Sequence, residues 1–553
     1  MDPIVQTSVL FGGSIGMAII FGLYIARMIS YEMRPLEKTL ARIENGFFRL
    51  IGIDVNRQMT WKEYLFALVL TDGIVMIFIF AIFLVQGLLS TATPGLKGLS
   101  IDLAFHTAAS FITNTNLQHY AGDQQLSVLS QMIAITFTMF VAPASAMAAG
   151  FAFIRAFIRK NFGLGNFYVD FTRSILTLLL PVAFLSSLFL MYMGVPQTLN
   201  SSVTIGKTLE AHNQTFTIGP VASLESIKEL GHNGGGFFGA NSGHPFENPN
   251  GLTNIYEMFL ILIIPLAFPI AYAKLVGRGR GVAILIAMLI GFGAMLGIAL
   301  SVQSGPKGLE TRFGSFGTVL FNVVSIETNT GATNSLLSGL SPNAAISLFL
   351  GMFVQAIPGA AGTGMMYMIV YVLLTLFIVG LMVGKTPEYM SMKISPKDIK
   401  LAVFIFLIHP ALILIPTVIA FTTGNAQAVL GSEAHGQKVT PFGYTQALYE
   451  YTSAAANNGS DYLGTSANTP FWNWSTGLVM LLGRFVPLGL MLGIAGSFTA
   501  KDRKEVIEPI KTEGPLFISV LVIMTFLLTA LTFFPFIVIG PFSMLGSSIG
   551  VGG

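Results

Sequence analysis

Long apolar runs separated by short polar stretches dominate the chain. Ten runs have the length and apolarity of bilayer-spanning helices: Ile4 to Ile25, Tyr64 to Leu89, Leu126 to Phe153, Ile175 to Met193, Ile255 to Leu275, Gly281 to Val302, Ala345 to Val383, Leu401 to Thr422, Trp474 to Phe498 and Pro515 to Ile539. Between some of them lie four segments with apolar residues at helical spacing that are too short to span: Ile101 to Phe111, Val221 to Leu230, Gly314 to Ile326 and Pro441 to Ala456. Each reads as a re-entrant helix and runs into a segment of Asn, Thr and Gly. These segments are Thr113-Asn114-Thr115-Asn116, Asn233-Gly234-Gly235-Gly236, Thr328-Asn329-Thr330-Gly331 and Asn457-Asn458-Gly459-Ser460. One would be an ordinary turn. Four, at intervals of roughly 95 to 130 residues in the same apolar context, indicate one unit used four times: span, short helix, loop, span.

The fold expected is an all-α integral membrane protein with four such units and an extra span at each end. Its divisions are 1–63 (first span and loop), repeats at 64–160, 174–275, 281–383 and 401–499, and a last span in 514–553. Composition agrees: 53% hydrophobic and 10% charged residues, with a mean hydropathy of +0.72, leave too little polar surface for a soluble chain. Cysteine is absent, which excludes disulfides, thiolate metal sites and cysteine nucleophiles. The Met1-Asp2-Pro3 start has no positive n-region and no small-residue cleavage site follows, so the first run reads as a retained span.

Basic residues set the expected orientation. Lys97, Lys207, Lys228, Lys307, Arg312 and Lys438 are the only Lys or Arg in one set of alternate connections, Arg484 lies inside a span, and the rest of the 29 fall in the other set. By the positive-inside rule the richer side is cytoplasmic, with both termini and all four loops outward, Trp61 at the inner boundary and Trp472 and Trp474 at the outer one. The slightly basic balance is topology and carries no indication of nucleic acid.

Non-helical backbone at membrane depth must line a cavity or be buried in protein, so the four loops are expected to meet at one axis. Gly and small polar residues let carbonyl oxygens replace the hydration shell of a monovalent cation, and Gly234, Gly331 and Gly459 sit at matching places, with Asn116 or a neighbour in the first loop. Arg484 lies near the middle of its span, where an unpaired guanidinium costs about 2.5–3.5 kcal/mol, so it is expected to face the interior with a partner. Pro358-Gly359-Ala360-Ala361-Gly362-Thr363-Gly364 must interrupt the seventh run, as a constriction or a plain kink. Asp72 and His409 are intramembrane ionisable residues read as interhelical hydrogen bonders, and Glu327 and Asp461 stand beside the third and fourth loops, either drawing cations to the outer mouth or bracing the short helices. Gly380 to Thr386 misses the spacing of a phosphate-binding loop, and no Asp-Lys-Thr-Gly-Thr phosphorylation site exists.

Thr113-Asn114-Thr115-Asn116 with Gln118, the run Asn233-Gly234-Gly235-Gly236-Phe237-Phe238 through Asn241-Ser242 to His244-Pro245-Phe246-Glu247-Asn248-Pro249, Gly384-Lys385-Thr386-Pro387-Glu388-Tyr389 and Ala456-Asn457-Asn458-Gly459-Ser460 resemble the KdpA family. This is the potassium-binding, channel-like subunit of the bacterial and archaeal Kdp potassium pump. The resemblance implies membership of a superfamily of potassium transporters related to potassium channels. It implies a filter at the four loops for K+ as the transported ion, with no tightly bound cofactor and no catalytic residue. It further implies a prokaryotic plasma membrane and partner subunits: a KdpB-like P-type ATPase that hydrolyses the ATP, a KdpC-like subunit and a KdpF-like small peptide. Arg484 is then expected beneath the filter, opposing straight-through leak, with Gln118 tuning affinity and Gly359 and Gly362 at a gate. The alternative is a stand-alone Trk/Ktr-type channel or symporter, a family without the His244-to-Asn248 motif.

Overall fold

The computed structural model describes residues 2–32, 44, 46, 48–89, 96–158, 163–206, 213–301, 311–430, 440–503 and 510–544. Lys207, Lys307 and Lys438, with Arg34, Lys38, Arg42, Arg159, Lys160 and Lys504 of the richer basic set and Val302 at the end of the sixth run, lie outside the described residues.

Ten helices long and apolar enough to cross a membrane are present among the described residues. In chain order with the shorter helices they are α1 Pro3–Ser30, α2 Trp61–Leu89, the short α3 Ile101–Ile112, α4 Val128–Arg155, α5 Phe167–Tyr192, the short α6 Val221–Leu230, α7 Gly251–Leu275, α8 Arg278–Leu300, the short α9 Gly314–Glu327, α10 Pro342–Val354, α11 Thr363–Met382, α12 Pro396–Thr422, the short α13 Pro441–Ala456, α14 Pro470–Thr499 and α15 Pro515–Phe542. Two small antiparallel hairpins, Ser202–Ile205 with Gln214–Thr217 and Glu388–Tyr389 with Met392–Lys393, lie outside the helices.

Helix starts follow local chemistry. At Ser341-Pro342, Ser395-Pro396, Thr440-Pro441 and Thr469-Pro470 the hydroxyl accepts from a backbone N–H of the first turn, and proline, which lacks an N–H, takes the first helical position. The seventh apolar run is two helices, not one long broken span. α10 stops where Gln355 turns left-handed (φ 54°), and α11 begins after Gly359 (φ 70°) and Gly362 (φ 82°). Pro358, which has no N–H to donate, and the glycines at 359, 362 and 364 deny the backbone a continuous ladder, so the run does not close into one helix.

α4 and α7 are the most buried spans; α1, α2, α12 and α15 are among the least, exposing Ile and Leu outward as a lipid-facing rim does. Trp472, expected at the outer boundary, is wholly buried: it stacks on Tyr451 (ring centroids 5.0 Å) and donates from its indole to the Asn425 carbonyl at 3.2 Å. Trp474 remains exposed, against Phe105.

Candidate loop ring and its surroundings

The short helices α3, α6, α9 and α13 end the same way. Asn114, His232, Asn329 and Asn457 are left-handed, with φ of 63°, 54°, 53° and 54°, and each backbone N–H donates to the carbonyl three residues back. The next residues, Thr115, Asn233, Thr330 and Asn458, each donate backbone N–H to the carbonyl five residues back: Ser110, Lys228, Ser325 and Ser453. Asparagine tolerates this conformation because its short amide side chain bonds locally. The shared pattern sets the register. By this pattern the counterparts of Thr113-Asn114-Thr115-Asn116 are Gly231-His232-Asn233-Gly234 in the second loop and Ala456-Asn457-Asn458-Gly459 in the fourth, and Gly234, Gly331 and Gly459 fall at equivalent places, with Asn116 in the first loop.

Side chains tie each loop to a neighbour. Asn114 Nδ2 donates to the carbonyls of Gly231 (3.1 Å) and His232 (2.7 Å). Asn457 Nδ2 donates to Thr115 Oγ1 (3.0 Å), and Asn458 Nδ2 to the Ile326 carbonyl (3.0 Å). The second and third loops are joined through the chain break, where Ala361 N–H donates to His232 Nδ1 (3.3 Å) and Gly359 N–H to the Glu327 carbonyl (3.1 Å). The loops converge. A Cβ added at Gly234 would lie 2.7 Å from the Thr115 oxygen and 3.0 Å from that of Asn458, one at Gly235 2.8 Å from that of Asn116, and those at Gly331 and Gly459 would run into the carbonyls of Asn458 and Thr115. Within the loops Thr113 and Thr115 pair their hydroxyls at 2.7 Å, and Thr328 and Thr330 theirs at 2.8 Å.

On one side of the ring an open cavity of ≈ 490 Å³ is lined by Gln118, Gly235, Gly331, Gly459 and Asp461 among others. Gln118 is pinned, accepting from Gly236 N–H and donating to the Gly236 carbonyl, both at 3.0 Å, and donating to Tyr120 Oη at 3.2 Å. On the other side Asn114, Asn329, Asn457, Gln355, Tyr367 and Arg484 line a narrow cavity of ≈ 20 Å³, room for about one water. Arg484 is buried, and its Nη2 donates to the Ala142 carbonyl of α4 at 2.9 Å. Asp72 lies within electrostatic range of Arg484 and accepts from Ser145 Oγ at 2.6 Å, joining α2 to α4. His409 packs edge-on to Tyr367.

Glu327 is not among the residues lining the larger cavity. It is fully buried and accepts from Ser347 Oγ of α10 at 3.2 Å, a brace between α9 and α10. Asp461 does line the larger cavity.

Several participants escape a reading by composition. His232 is one, since histidine is no turn former. A second group lies behind the first and fourth loops: His119 reaches Glu450 (3.1 Å) and Asn473 (2.7 Å), stacks on His106 (3.8 Å), and Asn473 donates to Asp102 (2.7 Å). The third is Lys228, counted as an outer charge but wholly buried among glutamates. Here the His244-to-Asn248 motif finds its physical use: Glu247 accepts from Lys228 Nζ (2.9 Å) and from Phe238 N–H (2.8 Å), fixing the chain that leaves the second loop. Burial pushes the Glu247 carboxyl up to about 8 against the pull of the Lys228 ammonium.

The sequence model of the KdpA family, described as potassium-transporting ATPase A subunit, matches residues 9–544. Among solved structures, the crystal structure of the potassium transporter TrkH from Vibrio parahaemolyticus is similar in fold, with a TM-score of 0.50 at 15% sequence identity over 88% of this chain and 99% of that one.

Proposed function

The chain belongs to the KdpA family of potassium-transporting ATPase A subunits, and from that premise we propose that it takes up extracellular K+ through a filter formed by the four loops and passes it to a P-type ATPase subunit. The observation that carries this reading is the convergence of four loops with one backbone hydrogen-bond pattern, at which carbonyls of Thr115, Asn116 and Asn458 crowd against glycines of neighbouring loops. Converging carbonyl dipoles are what a dehydrated monovalent cation needs. Each repeat (64–160, 174–275, 281–383, 401–499) supplies one loop, and Thr113 to Asn116, Asn233 to Gly235, Thr328 to Gly331 and Asn457 to Gly459 form the site. The larger cavity is the outer vestibule, with Gln118 setting its floor. Asn114 Oδ1 and Asn329 Oδ1, buried acceptors with no donor among the described residues, face the ion on the inner side.

Beneath the ring, Arg484 raises the electrostatic barrier to straight passage, so an ion leaves sideways past the 355–363 break, where Gly359 and Gly362 permit the turns. The chain hydrolyses no ATP itself. A KdpB-like subunit does so, assembled with KdpC-like and KdpF-like partners in a prokaryotic plasma membrane, with the loops and both termini outward. The Trk/Ktr-type alternative shares the fold but has no use for an ATPase partner.

Purification of the chain from its native membrane, followed by an ATPase assay, tests the proposal. A co-purifying P-type ATPase whose hydrolysis rises with K+ is expected, and the isolated chain should be inactive. Potassium-stimulated hydrolysis by the chain alone, or K+ uptake in cells lacking any P-type partner, would overturn it.

A further inference from the structure

Behind the second loop, one lysine is surrounded by four carboxylates. Lys228 Nζ forms ion pairs with Glu225 (2.7 Å), Glu229 (3.3 Å) and Glu247 (2.9 Å), and donates to Asn241 Oδ1 and Ser242 Oγ (both 2.8 Å). Glu257, from the second turn of α7, faces the same group. All five charged side chains are 0% exposed. With every carboxyl ionised, one positive charge faces four negative ones where water cannot screen them, an arrangement that demands further positive charge or protons.

Glu257 points to the former. Both of its oxygens are buried and accept from no donor among the described residues, and the three protons of Lys228 are engaged by Asn241, Ser242 and Glu247. Yet carboxylate oxygens of Glu225, Glu229 and Glu257 lie within 4.8 Å of one another. Oxygens on a calcium coordination sphere of radius about 2.3–2.6 Å are separated by up to about 5 Å, so side-chain shifts of no more than a few tenths of an ångström bring all three onto one ion. The donor set is oxygen only, with no cysteine in the chain, which suits a hard cation over zinc or copper. Three carboxylates offer up to six oxygens in flexible geometry, as calcium accepts. Magnesium keeps several waters, and a cluster whose side chains are all wholly buried leaves little room for them.

We propose that Glu225, Glu229 and Glu257 bind a hard divalent cation, calcium in preference to magnesium, which joins the helix before the second loop (α6) to the span after it (α7). Lys228 stays in place as the resident monovalent charge, anchoring Glu247 and Ser242.

The test uses the full-length protein in detergent, first treated with EGTA and then given calcium, magnesium or ionic-strength-matched sodium chloride. About one calcium per chain by elemental analysis is expected. Saturating calcium should raise Tm by about 5 °C over EGTA, and magnesium by less. Glu257→Gln should abolish the calcium response. Should that variant fail to fold, Glu229→Gln is read in its place, and the wild-type comparison of calcium with EGTA stands alone. A wild-type Tm indifferent to calcium overturns the proposal, because the carboxyls then share protons. A calcium shift that persists undiminished in Glu257→Gln overturns it equally.

Discussion

Asn457 donates its side-chain amide to the Thr115 hydroxyl at 3.0 Å, fastening the fourth loop to the first across 342 residues of sequence. Thr330, at the equivalent place in the third loop, pairs only with Thr328 of its own loop. Thr115→Val keeps the shape and removes the acceptor. Asn457 keeps its second bond, to the Met480 carbonyl (3.0 Å), but the one unpaired N–H should cost about 1–3 kcal/mol, and the loosened ring should discriminate less well between K+ and Na+. Thr330→Val should leave discrimination nearer the wild type. Competition uptake assays on the two variants, read side by side, check this; equal loss in both would show that the inter-loop bond is irrelevant.

Glycine at position 459 is required twice over, by a φ of 108° and by the Thr115 carbonyl standing where a Cβ would go. Gly459→Ala should therefore reduce apparent K+ affinity at least about tenfold, since the backbone at the narrowest part must move. Gly384→Ala provides the control, having a similar strain (φ 69°) but open space around it. Its expected effect is a modest loss of stability with K+ affinity unchanged. Whole-cell uptake at graded K+ measures both.

The short helices at Val221–Leu230 and Pro441–Ala456 were legible end to end, because a proline or apolar start and a Gly or Asn stop bracket each periodic stretch. The glycine places in three loops were legible too. The residue that takes the left-handed turn in the second loop was not: histidine is no turn former, and the bond from Asn233 N–H to the Lys228 carbonyl is what sets His232 level with Asn114, Asn329 and Asn457. Partners such as His119 and Glu450, or Lys228 and Glu247, come together through tertiary packing, and no periodicity encodes that. Lys228 illustrates the limit, since a charge between spans reads as solvated until four glutamates are seen to bury it.

Where α1, α4 and α5 meet, Arg155 forms a two-toothed pair with Asp170 (2.5 and 2.8 Å) and also donates to the carbonyls of Ile29 (2.7 Å) and Leu164 (3.0 Å). Tyr64 donates to the same carboxylate at 2.9 Å. Arg155→Leu strands a buried charge and should destabilise by roughly 3–5 kcal/mol. Arg155→Leu with Asp170→Leu removes both charges and should cost less than the sum of the single changes. Thermal unfolding in detergent distinguishes this from simple additivity, which would mean the pair is not coupled.

Among the described residues Arg484 makes one hydrogen bond, to the Ala142 carbonyl, while its Nε has no partner. A purely structural arginine at this depth would be expected to satisfy its donors more fully, because each unmet polar group in a low-dielectric interior is costly. Its position in one cavity lining with Asn114, Asn329 and Asn457 puts positive charge on that side of the loop ring, where the proposed straight path would run. Arg484→Ala should lower that barrier and produce passive K+ flux in liposomes without ATP, with only a small change in Tm, since a single backbone bond is lost. Arg484→Lys, which keeps the charge on a shorter reach, should leak less than the alanine variant. If alanine at this position lowers Tm severely and adds no flux, the guanidinium is a brace between α14 and α4, and straight passage must be blocked by the narrowness of the 355–363 break alone.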